Sequence, residues 1–253
     1  TGTSVIAATG SAANDDYEVV ILFITGGTRG TAGITYKYSL DGGRTYSPTQ
    51  ALGTATSIVI PSSGSVTATL AAGTIVAGDV VTFRTAAPIW DTTGLTAALT
   101  ALQAWIGTWK DVRIVGDVNG AAFDAIETAM TTMDSAGKPR AWIGNTRMPV
   151  LAESEATYKS ALDTIFSAKA TTRGYLHSGS CEYVSSVNGR RYRRPVADVL
   201  GALQMSVSEE VNIAWLGLGA LVGVTITDDN GNPKHHDESV NPGLDDSRFS
   251  VLR

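Results

Sequence analysis

Hydrophobic and polar positions change their period once along this chain. Before about residue 89 they alternate by twos in short runs. Ile34, Tyr36, Tyr38 and Leu40 fall on one face and Thr35, Lys37 and Ser39 on the other. Val66, Ala68 and Leu70 alternate with Thr67 and Thr69, and Val81 and Phe83 with Val80, Thr82 and Arg84. Successive side chains of a strand point to opposite faces, so this pattern predicts antiparallel sheet with one buried face. With Tyr17 to Ile24 the runs make at least four strands, separated by turn signals at Asp41-Gly42-Gly43, Pro61 to Gly64 and Ala77-Gly78-Asp79. Their spacing is that of a small β-sandwich or barrel, within a Thr- and Gly-rich module at residues 1–89.

From Trp90 the period becomes helical. Leu95, Leu99, Leu102, Ile106 and Trp109 form one stripe, and Phe123, Ile126, Met130 and Met133 a second. A third runs through Tyr158, Leu162 and Ile165 with Ala161 and Ala168, behind the capping candidates Glu153 and Ser154. Short apolar runs lie between and after these stripes: Val112 to Val115, Ala141 to Ile143 and Gly174 to Leu176. Helices alternating with buried strands predict an α/β unit over residues 90–253 with a mixed, largely parallel sheet. Asn188-Gly189 predicts a type I′ hairpin turn between Tyr183 to Val187 and Arg190 to Tyr192. Pro195 suits the first turn of a further helix ending near Ser206, and Val211 to Thr227 reads as a buried strand or helix pair. The fold class is therefore α+β or α/β, a β module followed by an α/β core.

Composition narrows the function. The 253 residues carry 19 Lys+Arg against 24 Asp+Glu, a formal charge of -5, which argues against a nucleic-acid binder driven by a basic surface. Nine charged residues precede Trp90 and 34 follow it, so the change of period coincides with a change of surface. The longest apolar run, Val211 to Val224, is about 14 residues against the roughly 18 a membrane-spanning helix needs. The single Cys181 excludes an intramolecular disulfide.

Candidate chemistry is sparse. Ser39 to Tyr46 resembles the Asp-box of sialidases and other propeller proteins, a hairpin loop whose Asp and Thr bond the turn backbone. It occurs once, so Asp41, Gly43 and Thr45 are expected to be a structural turn. His177, His235, His236, Asp237, Glu238 and Cys181 invite a metal reading, but sequence neighbours point apart and Gly179 interrupts the spacing from His177 to Cys181, so no metal site is expected. No Gly-x-Gly-x-x-Gly between strand and helix, no P-loop and no Gly-x-Ser-x-Gly elbow is present. No catalytic residue and no cofactor follow from these patterns. A hydrolase using His177, Asp237 or Glu238 is the enzyme alternative. Arg190-Arg191-Tyr192-Arg193-Arg194 is the densest charge run; on a strand Arg190, Tyr192 and Arg194 face one way and Arg191 and Arg193 the other.

The stretch from His236-Asp237-Glu238 through Asn241-Pro242-Gly243-Leu244-Asp245-Asp246-Ser247-Arg248-Phe249-Ser250-Val251-Leu252-Arg253 resembles the core of phage contractile-tail sheath proteins, in a sheath-like family of phages and prophages. Arg193-Arg194-Pro195-Val196-Ala197 with Gly201, Gly217 to Val224, and the module carrying Tyr38-Ser39-Leu40-Asp41-Gly42-Gly43 stand in the same order as in that family. The resemblance implies a non-enzymatic structural subunit that assembles with copies of itself into rings or a helical tube. Its further partners would be tail-tube and baseplate proteins, with no nucleic acid and no membrane span. It would be assembled in the bacterial host cytoplasm and reside in the virion tail. Family members continue past the Leu-Arg, so the chain reads as a fragment without the C-terminal region. Arg190, Arg191, Arg193, Arg194 and Arg248, with Asp237, Glu238, Asp245 and Asp246, are candidate subunit-interface residues of opposite sign. The alternative is a phage surface or carbohydrate-binding protein that displays its β-sandwich.

Overall fold

The computed structural model describes residues 2–9, 13–61, 64, 66–150, 153–171, 173–187, 189–205 and 224–226. By compactness the chain divides into Thr1–Pro88 with Tyr183–Arg193, and Ile89–Glu182 with Arg194–Arg253. Antiparallel sheets and one parallel sheet make the chain a mixed α+β protein.

In the first unit β1 (Ile6–Thr9), β7 (Thr67–Leu70) and β6 (Ser57–Val59) form one antiparallel sheet in that order. The other has the order β5 (Gln50–Ala51), β4 (Thr35–Ser39), β2 (Glu18–Thr25), β9 (Val80–Arg84), and β3 (Gly27–Thr28) pairs β8 (Thr74–Ile75). Register follows the period of two: Ile21 lies opposite Tyr38 and Val81, and Phe23 opposite Tyr36. Val19, Ile21, Phe23, Ile34 and Tyr36 share one buried core with Ile58, Ala68 and Leu70 of the other sheet and with Ile60 and Val66 beside it. Each such side chain removed from water contributes about 1.5–3 kcal/mol, which fixes the register because a slip of one residue would expose the set. Among the described residues no barrel closes; both sheets keep open edges.

The second unit starts with α1 (Thr92–Ala104), followed by β10 (Asp111–Asp117), α2 (Gly120–Ser135), β11 (Ala141–Asn145), α3 (Glu155–Phe166) and β12 (Gly174–His177). The three strands are parallel and lie in chain order. Asp91, Asn119 and Ser154 each cap a helix, accepting from the amides of Gly94, Ala122 and Thr157 at 2.8, 2.9 and 3.3 Å. A cap of this type is worth about 1 kcal/mol. Phe123, Ile126, Met130 and Met133 of α2 and Tyr158, Leu162 and Phe166 of α3 pack with Leu95, Leu99 and Trp142 into one core. Phe123 meets Trp142 edge to face, ring centres 5.6 Å apart, and the Trp142 indole N–H donates to Glu127 at 2.6 Å.

After β12 come β13 (Ser180–Val184), β14 (Arg191–Pro195) and α4 (Val196–Met205), with β15 (Val224–Ile226) beside β13 in a sheet of order β14-β13-β15. A Cβ on Gly201 of α4 would meet the side chain of Ile143 at 3.5 Å, so α4 covers the face of β11 opposite Trp142.

The structure departs from the sequence pattern in three places. Helix α1 stops at Ala104 instead of continuing to Trp109, because Trp105 turns extended (ψ 131) before Gly107. Ile106 is left 97% exposed, and Trp109 reaches the core from outside the helix. In α3 the third buried position is Phe166; Ile165 and Ala168 are exposed, since i, i+4, i+8 from Tyr158 follows the 3.6-residue turn along the core face. In the β13–β14 hairpin the amide of Ser185 donates to the Arg190 carbonyl and that of Gly189 to the Ser185 carbonyl, both at 2.9 Å, a wider connection than a two-residue turn. Of the segment Val211 to Thr227 only Val224–Ile226 lies within the described residues, as a strand. No helix among the described residues is long and apolar enough to cross a membrane.

Candidate functional site

Open α/β sheets bind ligands outside the carboxyl ends of their parallel strands, where loops leave a crevice. Here those ends are Asp117, Asn145 and His177, and the residues that follow them turn inward. Asn145, Thr146, His177, Ser178 and Ser180 are all buried. The Asn145 side chain joins two elements: its amide nitrogen donates to the Thr146 carbonyl at 2.5 Å, and its oxygen accepts from the Ala197 amide in the first turn of α4 at 3.1 Å.

Tyr158 fills the space between the strand ends. Its side chain is 1% exposed, and its hydroxyl donates to the Arg147 carbonyl at 2.5 Å, accepts from the Gly179 amide at 3.1 Å and lies 2.9 Å from Thr146 Oγ1. The hydroxyl's one donor and at least one of its acceptor lone pairs are thereby used. Burial pushes the phenol up to about 12. Above it Arg147 stacks its guanidinium 5.0 Å from the Tyr158 ring centre and forms a two-pronged pair with Glu153, at 2.7 and 2.6 Å. Those bonds hold the Glu153 carboxyl below, and the Arg147 guanidinium above, their ordinary values. Glu153 also accepts from the Val150 amide at 3.0 Å, so this expected cap residue braces the loop before α3 while Ser154 caps the helix.

Cys181 and the other candidate metal ligands are placed differently. Cys181 is fully buried, its thiol pushed up to about 11 by burial, and Sγ is 3.7 Å from the Arg194 carbonyl. A thiol with that value is almost wholly protonated near neutral pH, the opposite of an activated nucleophile. Among the described residues no group of three or more His, Cys, Asp or Glu side chains is arranged to hold a metal ion. His235, His236, Asp237 and Glu238 lie outside the described residues.

Asp41 is buried in its turn. Oδ1 accepts from the amides of Arg44 and Thr45 at 3.1 and 2.8 Å and from Ser39 Oγ at 2.7 Å, and Oδ2 accepts from Thr45 Oγ1 at 2.6 Å. Burial raises the Asp41 carboxyl, but the hydrogen bonds from Thr45, Ser39 and Arg44 outweigh it and hold the group below its ordinary value. Gly43 has φ 89, a left-handed conformation that glycine adopts without strain, and its amide donates to Ser39 Oγ at 2.9 Å.

Along the arginine run exposure varies with depth rather than with face. Arg190 and Arg191 are exposed, Arg194 is half-buried, and Arg193 is only 7% exposed. The alternation expected from the sequence put Arg191 and Arg193 on equivalent faces. Arg191 sits nearer the hairpin tip and Arg193 two residues further along β14, so two equivalent positions of the alternation differ in burial. The candidate acidic partners Asp237, Glu238, Asp245 and Asp246, with Arg248, lie outside the described residues.

Sequence reading did not single out Asn145, Thr146, Arg147 or the hydroxyl of Tyr158. The available signal was the polar pair Asn145-Thr146 directly after a buried apolar run, at a strand's carboxyl end. No protein-family profile matches the chain, and no curated protein matches it in sequence.

Proposed function

We propose that the chain is a structural subunit of a contractile phage tail sheath, assembling into rings or a helical tube around an inner tube and contracting by rearrangement of subunit interfaces. The geometric observation that carries this reading is the closure of the strand ends by the protein's own side chains. Tyr158, Asn145, Thr146 and the Arg147–Glu153 pair occupy the crevice an α/β enzyme would offer a substrate, and the bonds they make brace helices against strands. Such bracing suits a rigid body that transmits force, since a contractile assembly stores its free energy in interfaces and not in a reacting ligand. The sequence resemblance of residues 236–253 and of Arg193 to Gly201 to sheath proteins supplies the specific identity. The first unit would be a displayed β-sandwich, and strand β14, at one edge of its sheet among the described residues, would offer exposed Arg191 to a neighbouring subunit.

Electron microscopy of the complete product of the reading frame tests the proposal, together with sedimentation of the 253-residue chain. Hollow tubes or stacked rings are the expected result. A complete product that stays monomeric at high concentration across several salts would overturn it and leave the β-sandwich binding protein as the better reading.

A further inference from the structure

At the opposite rim, where the parallel strands begin, a cleft of about 900 Å³ is lined by Trp109, Lys110, Asp111, Arg140, Arg173 and Tyr175, among others. Three cations and one carboxylate line it, in a chain whose net charge is -5. Arg173 is engaged, its Nη2 2.7 Å from Asp134 Oδ1.

Arg140 is held differently. Its guanidinium carbon lies 4.9 Å from the ring centre of Trp109, which packs partly buried against the core. Its one polar contact among the described residues is Nη1 to the carbonyl of Pro139, its own chain neighbour, at 3.2 Å. Stacking uses the face of a guanidinium and leaves its edge, a rigid fork of N–H donors matched to carboxylate and phosphate oxygens. The indole therefore lowers the conformational cost of presenting that fork. Tyr175 stands in the same cleft, 45% exposed.

We propose that this cleft binds a small oxyanion-bearing ligand, a carboxylate or a phosphate held by the Arg140 fork, with Lys110 adding positive potential and Tyr175 flanking it. The volume falls in the range of metabolite-sized sites. The site belongs to one unit of the chain and does not depend on the assembly proposed above.

The test is titration of the full 253-residue chain with inorganic phosphate and, separately, with citrate, followed by NMR of the backbone amides and of the Arg140 side-chain N–H. Saturable shifts at 109–111, 140–141 and 173–175 are expected. Arg140→Ala should weaken binding about tenfold or more, Arg140→Lys should weaken it less, and Arg44→Ala in the other unit should leave it unchanged. A response to phosphate alone, or to citrate alone, identifies which oxyanion the fork takes. If Arg140→Ala does not fold, Arg140→Gln keeps the aliphatic stem on Trp109 and should lose binding equally. Absence of a saturable shift with both anions, or unchanged affinity in a folded Arg140 variant, would overturn the proposal.

Discussion

The hydroxyl of Tyr158 accepts the backbone amide of Gly179 at 3.1 Å, and this bond ties the buried face of α3 to the segment that leaves the parallel sheet after β12. The same oxygen donates to the Arg147 carbonyl and meets Thr146, so two other chain segments, 146–147 and the one at Gly179, meet α3 at one side-chain atom. Removing that atom leaves the part-buried Gly179 amide and Arg147 carbonyl without this partner.

Tyr158→Phe should therefore destabilise the second unit by about 1 kcal/mol or more, the cost of losing hydrogen bonds to part-buried backbone groups, although it deletes no apolar surface. Urea unfolding followed by intrinsic fluorescence should show a lower midpoint with an unchanged slope. An unchanged midpoint would mean that water replaces the hydroxyl at the strand ends.

Glu18 and Arg84 face each other across β2 and β9, 3.0 Å apart, with side chains 16% and 8% exposed. Breaking a largely buried pair by removing one partner costs roughly 3–5 kcal/mol, because the remaining charge stays desolvated. Glu18→Gln and Arg84→Gln should each lower stability by an amount of this order. Their double variant should lose less than the sum, which a double-mutant cycle reads directly.

The carboxyls of Asp41 and Glu153 both titrate below their ordinary values. Their folded values lie below the unfolded ones, so the stabilisation they contribute is complete above the unfolded value, about 4, and is lost as pH falls through the folded value. Stability should fall with acidification below about pH 4, and Asp41→Asn should flatten that part of the profile for the first unit only. A full pH-stability curve on parent and variant checks this.

Cys181 is fully buried with its thiol pushed up to about 11. Alkylation by iodoacetamide at pH 8 should be slow in the native protein and rapid after unfolding in guanidinium. Because roughly one thiol in a thousand is ionised at that pH, native labelling should track global unfolding. Rapid native labelling would contradict the packing around β13.

Local pattern alone determined the two kinds of structure and their order, because a period of two and a period of 3.6 are set by backbone geometry within a few residues. The buried faces of β4 and α2, the Ser154 cap and the Asp41 turn are legible for the same reason: each depends on neighbours within about four positions. The tertiary structure decided what depends on depth and on distant partners. Arg193 is buried while Arg191 is exposed, although both occupy equivalent positions in the alternation. Helix α1 ends at Ala104 although its stripe continues, and Trp109 rejoins the core by another route. The polar residues at the strand ends become one network only when α3 and α4 bring Tyr158 and Ala197 to them, across 12 and 52 positions of chain. Strand pairing and helix packing join residues whose separation no periodicity records, so this network at the strand ends arises only in the folded chain.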